Sequence, residues 1–180
     1  MEPIMVERDW EERVTAAWAT LDDFPQDERG AEAFRARIGA LADELPDGHP
    51  FALFERACAW DSTGRSDRAE PLYRRALEDG LDGYKGRRAR IQLASSLRNI
   101  GRAEEAVALL EPELTSPSDE LDDAVRCVLA LCLSSLGRDR EGLSLVVEAL
   151  AAHLPRYQRS MANYARLLRD PSEGNSPTNG

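Results

Sequence analysis

The chain has little of what catalysis or metal binding draws on. It holds two histidines, His49 and His153, and three cysteines, Cys58, Cys127 and Cys132, in 180 residues. A zinc site would have almost no nitrogen and sulfur ligands to use, and no CxxC spacing exists. The cysteines sit inside apolar helical patterns, which predicts reduced, buried thiols and no disulfide framework. Lysine is nearly absent too: every basic residue is arginine except Lys85. No apolar run approaches the ~18 residues of a membrane span, and the opening MEPIMVERDWEER lacks the basic-then-apolar order of a secretion signal, so a cytoplasmic protein with no membrane partner is expected. No phosphate-cradling glycine loop, nucleophile elbow or helical HExxH is present. These gaps predict a protein that is not an enzyme and needs no cofactor.

What is there is charge and periodicity. Hydrophobic residues make up 42% and charged residues 31%, with a formal net charge of −10. That excess of acid argues against nucleic acid, whose phosphates are bound mostly through Lys and Arg. The charge is uneven: residues 1–50 are net −8, residues 51–110 net +2, and residues 111–180 net −4. Between Asp82 and Glu104 no acid occurs, yet Lys85, Arg87, Arg88, Arg90, Arg98 and Arg102 all do.

A unit of about 36 residues recurs as STGRSDRAEPLYRRAL, NIGRAEEAVALLEPEL and SLGRDREGLSLVVEAL. Before each of Gly64, Gly101 and Gly137 lies an amphipathic segment, and after each a second one begins. Glycine can take positive φ without a Cβ clash, so it reads as the reversal between two antiparallel helices. The second helices carry Ala69, Leu72, Tyr73 and Ala76; Ala106, Leu109, Leu110 and Leu114; and Leu143, Val146, Val147 and Leu150 as their apolar stripes. Upstream, Val6, Trp10, Val14, Ala17, Trp18 and Leu21 share one helical face, with both tryptophans expected on its buried side. A second stripe, Phe34, Ile38, Leu41 and Leu45, completes an irregular pair. Downstream, Tyr157, Met161, Tyr164, Ala165 and Leu168 predict a last, capping helix. The polar tail DPSEGNSPTNG is expected to be disordered.

Nine helices and no strand are therefore expected, in one domain over residues 1–169: an irregular pair about 5–46, repeats about 50–82, 87–118 and 123–154, a capping helix about 155–169, and a tail at 170–180. At about 100° per residue, Ala89, Leu93, Leu97 and Ile100 form the packed face of one helix. Arg88, Ile91, Ser95 and Arg98 then lie in a row nearly opposite.

The order Gly64, Ala69, Tyr73, Ala76, preceded by Ala57 and Trp60, resembles the tetratricopeptide repeat superfamily. Gly101, Ala106 and Leu110 repeat it. The third copy departs from it with Gly142 where an alanine is usual, and Arg90 and Arg126 stand where the first helix usually has tryptophan. The likeness covers about residues 50 to 165, and residues 80–106 resemble a group of small bacterial members. The resemblance implies an all-α right-handed superhelix of antiparallel helix pairs with a C-terminal capping helix. It also implies a non-catalytic module that binds a protein or peptide, with a structural homodimer as the alternative. First helices line the concave groove of that family. The implied groove is Phe51, Phe54, Cys58 and Asp61 in the first copy, Arg88, Ile91, Gln92, Ser95, Arg98 and Asn99 in the second, and Cys127 and Leu131 in the third. Arginine forks suit carboxylates and aromatics give contact area at small entropic cost, so the expected partner is a peptide with acidic or carboxylate groups and apolar anchors.

Overall fold

The computed structural model describes residues 3–169, with side chains from residue 8 onward; the expected tail and the Val6 side chain lie outside what is described. Among the described residues there is no strand, and nine α-helices follow one another: α1 (Pro3–Trp18), α2 (Glu28–Ala42), α3 (Pro50–Ser62), α4 (Ser66–Glu78), α5 (Gly83–Asn99), α6 (Ala103–Leu110), α7 (Asp122–Ser135), α8 (Asp139–Ala151) and α9 (Gln158–Arg169). Two short 3₁₀ turns, Leu21–Asp23 and Glu111–Thr115, follow α1 and α6. The chain forms two compact units, Met1–Ser96 and Leu97–Gly180. Each is taken by itself below.

The three repeat glycines are the reversals that the sequence predicts. Gly64, Gly101 and Gly137 have φ of 79°, 82° and 73°. In each case the next residue's amide reaches back to a carbonyl five positions earlier: Arg65 to Trp60 at 2.9 Å, Arg102 to Leu97 at 2.8 Å, Arg138 to Leu133 at 2.9 Å. This bond satisfies a carbonyl that the helix end would otherwise orphan. The arginine after each glycine then forks onto an acid in the first turn of the next helix. Arg65 meets Asp67 at 3.0 Å, Arg102 meets Glu105 at 2.5 and 2.7 Å, and Arg138 meets Glu141 at 2.8 Å.

In the first unit the core of the irregular pair is Ala17, Phe34, Ile38 and Ala59, flanked by Trp18, Leu21, Phe24 and Leu41. Trp18 and Phe24 both set their rings edge-on to Phe34, with centroids at 5.0 and 5.5 Å. Trp10 is buried and donates its indole N–H to the Leu41 carbonyl at 2.7 Å. Trp18 is only half-buried, and its indole N–H donates to a carboxylate on α3. Each fully buried side chain of this size stabilises by about 1.5–3 kcal/mol. Further along, Phe54 of α3 packs against Tyr73 of α4, and both are completely buried.

In the second unit the stripes are displaced from expectation. Leu143, Val146 and Leu150 of α8 are exposed, at 52%, 39% and 54%. The face that α8 buries is Gly142, Ser144, Leu145 and Ala149, and all but Leu145 are small residues that let helices approach closely. A Cβ on Gly142 would stand 2.8 Å from the backbone oxygen of Ala130 on α7. The departure from alanine at this position is thus a packing requirement. The capping helix α9 rests on α8 through buried Ala165, whose carbonyl accepts from the Ser144 hydroxyl at 2.6 Å. Tyr157, just before α9, and Tyr164 within it stay exposed instead of closing over the core, and Ile100 after α5 is exposed as well.

Gly142→Ala tests the close approach. Alanine would gain about 1 kcal/mol of helix propensity in open space, whereas overpacking costs about 1–3 kcal/mol. With backbone as the obstacle, the second effect wins. A lowered urea midpoint with unchanged m-value is expected, and a raised midpoint would show that α7 and α8 separate freely.

Candidate functional site

The first unit contains a cleft of about 480 Å³ walled by three helices. α1 contributes Trp10, Val14 and Trp18, α3 contributes Glu55 and Cys58, and α5 contributes Lys85, Arg88 and Gln92. Amphipathic spacing places these side chains: Glu55 and Cys58 stand one turn apart on α3, as do Lys85, Arg88 and Gln92 along α5.

Glu55 is the unusual member. It is a buried carboxylate, and its partner is the Trp18 indole, whose N–H donates to Oε2 at 2.6 Å. Burial pushes its carboxyl above the ordinary value, opposed by the Trp18 hydrogen bond and by the charges of Lys85 and Arg88. Lys85 is tied across the cleft to Glu11 at 2.9 Å and lies over the Phe51 ring at 5.0 Å. Cys58 donates its thiol to Gln92 Oε1 at 3.4 Å. Burial, and then the Glu55 charge, push that thiol up to about 12, so it is held as an inert neutral group. Above it the Tyr73 hydroxyl is buried, and burial raises it as well.

Arg88 differs from its neighbours. Its guanidinium sits 5.3 Å from the Phe54 ring, half-exposed on the cleft wall, and makes no ion pair among the described residues. The rest of the acid-free basic run is largely committed: Lys85 to Glu11, Arg102 to Glu105, and Arg87 buried. Among the described residues Arg88 and Arg98 make no ion pair and are not buried, whereas Arg90 is engaged.

The row expected to line the groove is therefore split. Arg88, Gln92 and Cys58 do come together in the cleft. Phe54 is fully buried between Tyr73 and Arg88, and Ile91 is buried, so neither offers a surface. Asp61 accepts from the hydroxyls of Ser66 at 3.0 Å and Ser96 at 2.9 Å, which makes it an internal tie between α3, α4 and α5. Phe51 and Ser95 are half-buried and do not line the cleft. In the second unit the row stays open: Cys127 is exposed, against the expectation of a buried thiol, and Leu131 is 51% exposed. The other two cysteines are buried, and all three are free. Arg98 joins Leu131 there indirectly, donating to the Ser135 hydroxyl at 3.1 Å while that hydroxyl donates to the Leu131 carbonyl at 3.0 Å. Asn99 is exposed beside it and accepts from Arg98 at 3.1 Å.

Glu55, Trp18 and Lys85 were missed from the sequence as site residues. The apolar stripe of α1 hides that Trp18 donates to a group on α3, and a single Glu within a hydrophobic run gives no sign of burial.

No helix among the described residues is long and apolar enough to cross a membrane. A family model described as Tetratrico peptide repeat matches residues 50–168. No curated protein and no solved structure matches the chain.

Glu55→Gln tests the electrostatics. A carboxyl whose folded value is raised contributes stability that is full below its ordinary value of 4.5 and is lost as pH rises through the folded value. The amide keeps an oxygen for the Trp18 N–H and cannot ionise. The variant should lose the fall in stability above pH 4.5 that the wild type shows, and be at least as stable at neutral pH. Parallel urea-unfolding profiles against pH would contradict the raised value.

Proposed function

This chain belongs to the tetratricopeptide repeat family, and on that premise we propose that its first unit takes a carboxylate of a partner peptide beside Arg88. The family is one of protein-interaction scaffolds, so a protein partner is the coarse reading. The finer one rests on a single observation: a half-exposed guanidinium on the wall of a 480 Å³ cleft, stacked on an aromatic ring and without an ion pair among the described residues.

The chemistry around it supports a carboxylate. Gln92 uses its amide oxygen for the Cys58 thiol, which leaves its N–H groups to a second ligand oxygen. Trp18, half-buried on the cleft wall, offers apolar surface for the adjoining side chain. Glu55 opposes an anion while ionised, so such a ligand binds with uptake of a proton and more tightly as pH falls. In the second unit, Arg98, Asn99, Cys127 and Leu131 are proposed as further contacts for the same class of partner.

Arg88→Ala removes the charge and a ring contact worth about 0.5–1 kcal/mol to stability. It should weaken partner binding by about 1.5–3 kcal/mol, the range for hydrogen bonds to charged groups, and leave helix content unchanged. The check is a pull-down from native lysate with wild type and variant, followed by titration calorimetry of the recovered partner. Equal affinity would leave Arg88 as a neighbour that merely tempers Glu55.

A further inference from the structure

The second unit ends in a surface that the cleft beside Arg88 does not involve. Two open clefts adjoin at the start of α9 and share Pro155, Arg156, Tyr157 and Ser160 as their common wall. One, about 550 Å³, is apolar and continues along Leu154, Met161 and Tyr164; the other, about 820 Å³, is lined by Arg159 and Asn163. Tyr157 is 75% exposed and Tyr164 57%. Exposed Tyr and Arg beside a half-buried Met are the composition of interface centres, not of ordinary solvated surface.

The backbone adds a second, independent sign. Tyr157 has φ of 69°, the one non-glycine residue with positive φ among those described. A bulky residue held in the left-handed region costs on the order of 1–3 kcal/mol. It is pinned there: its carbonyl accepts from the Met161 amide at 2.9 Å and from the Ser160 hydroxyl at 3.0 Å, and Gln158 ties the turn to the Ala152 and Leu154 carbonyls at 3.1 and 2.9 Å. Folding alone would favour glycine here. The strain holds the ring outward between the two clefts.

Charge selects the occupant. Residues 149–169 contain no Asp or Glu but four arginines, in a protein of net −10. Arg169 pairs with Glu148 at 2.9 Å, whereas Arg156 and Arg159 make no ion pair among the described residues. We propose that this face docks an acidic segment of another protein that carries a bulky apolar anchor. The anchor fills the cleft along Tyr157, Met161 and Tyr164, and an adjacent carboxylate meets Arg156 and Arg159 on the far side of the Tyr157 ring. A second copy using the same face would set these arginines against themselves, since a two-fold contact is self-complementary. Residues 170–180 carry only Asp170 and Glu173 as acids and no large apolar side chain, so they cannot fill the apolar cleft.

The test is fluorescence polarisation with a fluorescein-labelled, glutamate-rich peptide bearing a central tryptophan, alongside the same peptide with alanine for tryptophan and a lysine-rich counterpart. The first should bind saturably and the other two at least tenfold more weakly. Tyr157→Gly relieves the positive φ, so its melting temperature should hold or rise while affinity falls about tenfold. A double Arg156→Ala, Arg159→Ala variant should lose a similar factor and flatten the salt dependence. No saturable binding, equal binding of the lysine-rich peptide, or unchanged affinity in both variants would overturn the proposal. So would sedimentation showing a dimer that Tyr157→Gly dissociates, because the face would then belong to a second copy.

Discussion

The positive-φ glycine that ends each first helix is the constraint on which the repeat depends. It lets the following amide reach a carbonyl five residues back, and so fixes the angle at which the next helix leaves. The arginine that comes next is thereby placed to fork onto a first-turn acid at Asp67, Glu105 or Glu141. Such pairs at an exposed surface add little stability singly. Their value is geometric: the turn and the start of the second helix are held as one piece, and the small residues at Ala69, Ala106 and Gly142 arrive where the first helix passes closest. At the third copy the approach leaves no room even for a methyl group.

Those elements were legible because each is a local consequence of residue chemistry. The glycine spacing gave the reversals, and the 3.6-residue period gave helices and most of their buried faces, including Ala89, Leu93 and Leu97. What the period could not decide was which of two adjoining faces a neighbour covers. Leu143, Val146 and Leu150 form as good an apolar stripe as Leu145 and Ala149, and only the close contact at Gly142 selects between them. The same limit applies at Phe54 and Asp61, whose row on α3 was correct in angle. They are covered because α4 and α5 meet there, with Tyr73, Arg88 and Ser96 closing over them.

The candidate site was half legible for a related reason. The acid-free run around Arg88 is visible in composition, but composition counts charges without their partners. Lys85 and Arg102 are matched to acids on other segments, and Arg87 is buried, so most of the run answers to its own protein. The unmatched cations mark where an outside anion is worth most, because binding there displaces water instead of an existing partner.

The overall charge sharpens that reasoning. A protein of net −10 repels acidic partners at long range, yet at physiological ionic strength the Debye length is about 8 Å. Beyond that distance the excess is screened, and an approaching segment feels mainly the groups near its landing point. At Arg88 those include Glu55, buried and raised, so the field there depends on whether that carboxyl is protonated. At the start of α9 neither cleft is lined by an acid, and Arg156 and Arg159 are the charged groups on their walls. On the proposed reading the two surfaces would take the same kind of ligand by different physics: at the first the field depends on the protonation of Glu55, at the second it is set by arginine. Repulsion from the rest of the molecule penalises acidic segments that lack an apolar anchor, since they have only the screened attraction of a few arginines to set against it. An anchor supplies short-range burial that salt does not weaken, and that is the physical reason for expecting both features in one ligand.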